Sequence, residues 1–180
     1  MRAVIQRVLS AQVIVNETEI SKIGKGLCVL VGIGKDDNLN DLNYTISKIL
    51  NLKLFSSPLV TTTATTKDDN NTNPTKNNGE QKFEAKEKNW SQSVKDIQGG
   101  ILCVSQFTLM ANVKKGFKPD FHNAMKSENS KELYNEFLKK LRENYREDLV
   151  NDGQFGAMME VQLINQGPVT IIIDSKDKGH

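Results

Sequence analysis

Ser105-Gln106-Phe107-Thr108 sets two hydroxyls and a carboxamide beside an aromatic ring at the end of an apolar run. No His, Lys or carboxylate is adjacent in sequence to activate those hydroxyls, so they are weak nucleophiles. Chemistry here falls more naturally to backbone N–H groups cradling a developing oxyanion. The plainer alternative has Ser105 and Thr108 satisfying backbone groups at a strand end. Gly167-Pro168 is the second candidate. Pro has no N–H and cannot sit inside a central strand, while Gly takes conformations other residues avoid, so the pair must break a ladder. It reads as a tight turn between two strands or as a cis peptide presenting main-chain carbonyls. Third, Lys114-Lys115-Gly116-Phe117-Lys118, with Arg2 and Arg7 elsewhere, is a basic cluster interleaved with the Phe117 ring. That pattern suits a phosphate backbone ending in an unstacked base, and equally a solvated loop. The only histidines are His122 and His180, which excludes His-rich metal sites, and a Ser-His-Asp triad would rest on His122 alone.

The elements that must hold these residues belong to one domain. At roughly 150 residues per domain, 180 residues make a single domain, 1–180, with room for an insertion. A formal charge of +2 neither demands nor forbids a polyanionic partner, so only local clustering can decide. No stretch reaches the ~18–20 apolar residues of a membrane span, and the opening residues lack the apolar block of a signal peptide. The expectation is a soluble, unsecreted chain. Cys28 and Cys103 lie inside apolar runs and are expected to be reduced, structural thiols.

Arg2 to Val15 reads as a long or bulged strand, and Ile20 to Ile23 as its returning partner. Leu27 to Ile33 is a continuous apolar run, expected as a strand buried on both faces. Asp36 or Asp37 is expected to cap a helix carrying Leu39, Leu42, Ile46, Ile49 and Leu50 through Lys53. From about 57 to 87 the chain turns to Thr, Asn, Asp and Lys with almost nothing apolar, and reads as a flexible surface insertion. Order is expected again at Trp90–Ile97 and in a strand from Ile101 to Phe107. A second amphipathic helix, Ser130 to Tyr145, is expected behind a Ser cap. Two strand-like runs, Met158–Ile164 and Val169–Asp174, close the chain around Asn165-Gln166-Gly167-Pro168.

Four segments occur together in one order. These are Met1-Arg2-Ala3-Val4-Ile5-Gln6-Arg7-Val8, Ser105-Gln106-Phe107-Thr108, Lys115-Gly116 with Pro119 beyond it, and Asn165-Gln166-Gly167-Pro168-Val169-Thr170. In this the chain closely resembles the D-aminoacyl-tRNA deacylase family, also called D-tyrosyl-tRNA deacylase, over its whole length except the insertion. The resemblance implies an α+β fold, a three-layer β/β/α domain with two main helices, assembled as a cytoplasmic homodimer. It implies hydrolysis of the ester joining a D-amino acid, or glycine, to the 3′-terminal adenosine of tRNA, which is a proofreading reaction in translation quality control. Neither metal nor organic cofactor is expected.

By the same resemblance, Gly167 and Pro168 form a Gly-cisPro motif that reaches into the partner subunit's active site. Its carbonyls occupy the space an L side chain would need, so handedness is read by exclusion, a clash built against the wrong ligand. Arg7 would orient those carbonyls, Met159 would pack near them, and Asn165 belongs to the same binding group. Ser105, Gln106, Phe107 and Thr108 would line the pocket for the aminoacyl-adenosine. Thr108 matches a residue proposed as nucleophile. Because an aminoacyl ester is already reactive and has a neighbouring ribose 2′-hydroxyl, substrate-assisted hydrolysis with Thr108 positioning is the reading preferred here. Lys114, Lys115 and Lys118 are the candidate tRNA contacts. Met158 departs from the polar residue many members carry, and the insertion has no counterpart of this length. Two rivals stand beside this reading: a non-catalytic RNA-binding module using the basic loop, and a Cys hydrolase built on Cys103 and His122.

Overall fold

The computed structural model describes residues 1–57 and 88–177. The expected insertion at 57–87 lies outside the described residues from position 58, as does His180. Strand β1 (Arg2–Val15) is the spine of the fold. Along one edge its first half pairs antiparallel with β3 (Gly26–Gly32) and its second half with β2 (Thr18–Ile23). Along the other edge it pairs antiparallel with β8 (Glu160–Asp174). Strand β3 continues in parallel to β6 (Gly100–Ser105), and β6 to the short β7 (Val150–Asp152). A separate hairpin pairs β4 (Phe55–Ser57) with β5 (Lys88–Gln92). Two helices complete the described chain, α1 (Leu39–Asn51) and α2 (Ser127–Glu143).

The apolar pattern accounts for the layering. Strand β3 is buried along almost its whole length, as its unbroken hydrophobic run requires. On one side of the sheet Ala3, Ile5, Val29 and Cys103 meet Leu42, Ile46 and Ile49 of α1 and Phe137, Leu138 and Leu141 of α2. On the other, Val8, Val13, Cys28 and Leu102 meet Val161 and Leu163 of β8. Burying a large aliphatic or aromatic side chain contributes about 1.5–3 kcal/mol, so these two clusters dominate the favourable side of folding.

Three expectations need correction. The N-cap of α1 is Asn38, whose side chain accepts from Asn40 N at 2.8 Å, while Asp41 accepts from Asn38 N at 3.0 Å. Asp37 is unavailable to cap because its carboxylate accepts from Gly34 N and from the Met1 amino group, each at 2.6 Å. Helix α2 begins at Ser127 without a side-chain cap, so Ser130 lies inside its first turn, its N–H donating to Lys126 O. Finally, the two C-terminal runs are one strand interrupted by a bulge. Gln6 faces Thr170 and Val8 faces Asn165, so the four residues 166–169 are looped out opposite Arg7. Pro168 is tolerated because β8 pairs with β1 alone and the ladder breaks there.

Candidate active site

Strand β6 ends at Ser105, and Gln106 N–H still donates to Val31 O at 2.7 Å. The chain then tightens into a 3₁₀ turn, Phe107–Met110, closed at its start by Leu109 N–H on Gln106 O. A 3₁₀ turn leaves its first N–H groups without acceptors inside it, here those of Phe107 and Thr108. Of the four residues expected to line the pocket, Ser105, Gln106 and Phe107 line a cavity of about 650 Å³, together with Met159 and the exposed Met158, whereas Thr108 is exposed beside it and is not part of its lining. Phe107 is held edge-to-face by Phe121, ring centres 5.1 Å apart. Met159 seats its sulfur close to Gly153 and belongs to this cavity, not to the neighbourhood of Gly167 in its own chain. The Thr108 hydroxyl accepts from Gln106 Nε2 at 2.5 Å, and among the described residues no base hydrogen-bonds to it.

The Gly167-Pro168 motif stands elsewhere. Its peptide bond is cis, both residues are exposed, and Gly167 sits at φ +122°. Asn165 clamps the bulge from below: its carboxamide accepts from Val169 N and donates to Thr170 Oγ1, both at 3.1 Å. Arg7 holds the bulge from the strand side. Its Nε donates to Gln166 O at 3.2 Å, one residue before the pair, and not to the Gly167 or Pro168 carbonyls that the resemblance led us to expect. Its Nη1 donates to Leu54 O at 2.6 Å, and its guanidinium lies over the Trp90 ring at 5.9 Å. Within one chain the two motifs are apart. Arg7 pairs with Leu27, which pairs with Ile101, whereas Ser105 pairs with Val31. Four residues of strand correspond to roughly 13 Å, with two further strand spacings across.

The basic loop is pinned at its base by reciprocal hydrogen bonds between Asn112 and Asp120, 2.7 and 3.0 Å. Lys114, Lys115 and Lys118 project from it, and Phe117 is fully exposed. Just past the loop, Phe121 packs edge-to-face on Phe107 of the cavity wall. Among the described residues no cluster of three or more His, Cys, Asp or Glu is placed to hold a metal.

The Cys103–His122 rival does not survive the geometry. Cys103 is fully buried and burial pushes its thiol far up, whereas His122 is exposed and its ring pairs with Asp120. Cys28 is likewise pushed up, to about 11, by burial. Both are free, buried thiols, as their apolar runs imply. Sequence reasoning missed Leu54, Trp90 and Phe121, which come from separate segments and carry no spacing that ties them to Arg7 or Phe107.

A family model described as D-Tyr-tRNA(Tyr) deacylase matches residues 4–72 and 59–174. The chain belongs to this family. The D-aminoacyl-tRNA deacylase of Schizosaccharomyces pombe is 45% identical over 177 residues, covering 98% of this chain and all of that one. Human D-aminoacyl-tRNA deacylase 1 is 44% identical over 179 residues, 99% of this chain and 72% of the relative. A solved structure titled c-Myc DNA Unwinding Element Binding Protein superposes with a TM-score of 0.78 at 44% identity, covering 97% of this chain and 98% of that one. A probable eukaryotic D-amino acid tRNA deacylase shares the fold at a TM-score of 0.71 with 18% identity, covering 96% and 97% of the two chains. The two matched stretches of this deacylase-family chain overlap at 59–72, within its Thr- and Asn-rich segment.

Proposed function

We infer that this chain hydrolyses the ester of D-aminoacyl-tRNA, and of glycyl-tRNA, releasing the free amino acid and tRNA, and that it rejects L-aminoacyl groups with the Gly167-Pro168 main chain of a partner subunit. Family membership makes it a D-aminoacyl-tRNA deacylase, a hydrolase. The observation carrying the finer reading is the separation of the two motifs: Gly167-Pro168 protrudes from the edge strand β8, whereas the cavity lined by Ser105, Gln106 and Phe107 opens elsewhere on the same chain. A two-fold homodimer brings one chain's protruding main chain to the other's open cavity. The outer edge of β8 and the exposed Ile164 and Ile172 on it favour covering by a second copy, because unpaired edges and apolar side chains invite association. The two apolar clusters on opposite sides of the sheet support the three-layer β/β/α arrangement.

The chemistry follows from what the cavity offers. Phe107 and Thr108 N–H groups stabilise the oxyanion, Ser105 and Gln106 shape the wall beside it, and Thr108 positions the ester. The ribose 2′-hydroxyl of the substrate assists attack by water, so the protein needs to supply orientation rather than a nucleophile. Lys114, Lys115 and Lys118 contact the tRNA, which is the chain's partner, and the reaction takes place in the cytoplasm without a cofactor. A wall of main chain admits many side chains while excluding one hand, which suits a filter for many D-amino acids.

The test compares single-turnover hydrolysis of D-, L- and glycyl-tRNA carrying the same tRNA. D- and glycyl-tRNA should be cleaved, with L-aminoacyl-tRNA slower by at least about 10²-fold, as expected when a site rejects by steric clash. Equal rates on D and L substrates would refute the exclusion mechanism. Tight tRNA binding with no turnover on any of the three would favour the RNA-binding module.

A further inference from the structure

A second cavity, about 590 Å³, opens behind the Gly167-Pro168 bulge and plays no part in the ester chemistry described above. Two cations line it, Arg7 and Lys25, with the amides of Asn89 and Gln92 and the hydroxyl of Ser56; among the described residues no carboxylate does. Consecutive residues of one segment position both charges. Leu54 O accepts from Arg7 Nη1, and the Phe55 ring lies 6.0 Å from Lys25 Nζ. The remaining Arg7 hydrogen bond goes to a carbonyl, and among the described residues neither cation has a carboxylate partner. Two uncompensated positive charges in a concave, amide-lined recess raise the local concentration of anions. The exposed Trp90 ring lies 5.9 Å from the Arg7 guanidinium and offers a face on which a base can lie.

We propose that this recess binds a backbone phosphate of the substrate tRNA as its 3′ end passes toward the ester-cleaving cavity of the partner subunit. The proposal rests on the cross-subunit reading. Gln166 lines the recess and immediately precedes Gly167, so a dipeptide inserted into the partner's cavity brings that recess beside it. Lys25 supplies a point charge, Arg7 a planar donor already oriented by two carbonyls, and the amides the remaining hydrogen bonds. A phosphoryl group on a small soluble molecule presents the same chemistry, so the experiment separates the two sources.

Deacylated tRNA binding is measured against salt for the full chain and for Lys25→Ala, Lys25→Glu and Lys25→Arg, with inorganic phosphate titrated in parallel. Loss of one phosphate contact should lower the slope of log K against log salt by about 0.7 and weaken binding several-fold in Lys25→Ala; Lys25→Glu should weaken it further and Lys25→Arg restore it. In kinetics, the kcat/KM loss on D-aminoacyl-tRNA should exceed the loss on a D-aminoacyl-adenosine fragment lacking that phosphate. An unchanged salt slope, equal losses on both substrates, or Lys25-dependent binding of inorganic phosphate without any effect on tRNA would each overturn the proposal. A chain that sediments as a monomer while cleaving the fragment would instead defeat the cross-subunit reading on which it rests.

Discussion

At the scale of single residues the decisive question is what Thr108 does. Thr108 is exposed, and among the described residues its hydroxyl is engaged by the Gln106 amide alone, a donor that cannot remove a proton. Removing a true nucleophile typically costs on the order of 10⁴-fold or more in kcat. Thr108→Ala should therefore keep turnover within about tenfold of the parent in a single-turnover assay, because only orientation is lost. A fall of about 10⁴-fold would assign the attack to Thr108 itself. The strand-end signature that raised the question was readable from residue types, since a polar stretch closing an apolar run marks a strand mouth. The partners of Arg7 were not readable, because Leu54 and Trp90 reach it only once the β4–β5 hairpin is folded against β1.

At the scale of elements, α1 shows where pattern reading succeeds and where it stops. The stripe of Leu42, Ile46, Ile49 and Leu50 is buried as its helical spacing predicts. The cap is displaced to Asn38 because tertiary contacts had already claimed Asp37. Likewise the break in the ladder was legible from Gly167-Pro168, but that the chain continues as one bulged strand across it depends on register with β1, which no local signal encodes. The same helix start carries a charge network: Asp41 accepts from Lys176 Nζ at 2.6 Å, Ser175 Oγ at 2.7 Å and Asn38 N at 3.0 Å. Burial alone would raise this carboxyl, but the bonds from Lys176, Ser175 and Asn38 outweigh it and hold the group at about 2, below its usual 3.8. A depressed carboxylate contributes stability that is complete above its unfolded value and lost as pH falls from about 4 through 2. Asp41→Asn should therefore lower the urea midpoint at pH 6, by a stability on the order of 1–2 kcal/mol, and the gap to the parent should close as pH drops toward 2. A gap independent of pH would show that the carboxylate charge contributes nothing.

For the whole molecule, the question is whether one chain can complete its own site. Gly167-Pro168 and the Phe107 cavity sit at different heights on the sheet and on different strands, and the proposed exchange of bulges between two chains answers that separation. This arrangement makes a complementation experiment decisive. In Gly167→Ala an added Cβ would meet Val169 Cγ2 at 2.8 Å and Arg7 Nη2 at 2.9 Å, at a positive φ unsuited to side chains, so the bulge must shift, and on the proposed cross-subunit reading that spoils the other chain's cavity. Phe107→Ala removes the aromatic wall of its own cavity instead. Each variant alone should lose most of its activity while remaining folded and dimeric by circular dichroism and sedimentation. After subunit exchange about half of the dimers are mixed, and each mixed dimer holds one cavity intact opposite an intact bulge, so roughly a quarter of the parental turnover should return. Both defects would fall in separate sites if each chain supplied its own bulge to its own cavity, and mixing would then restore nothing. A mixed population verified by mass, yet no more active than its parents, would place the whole site within a single chain.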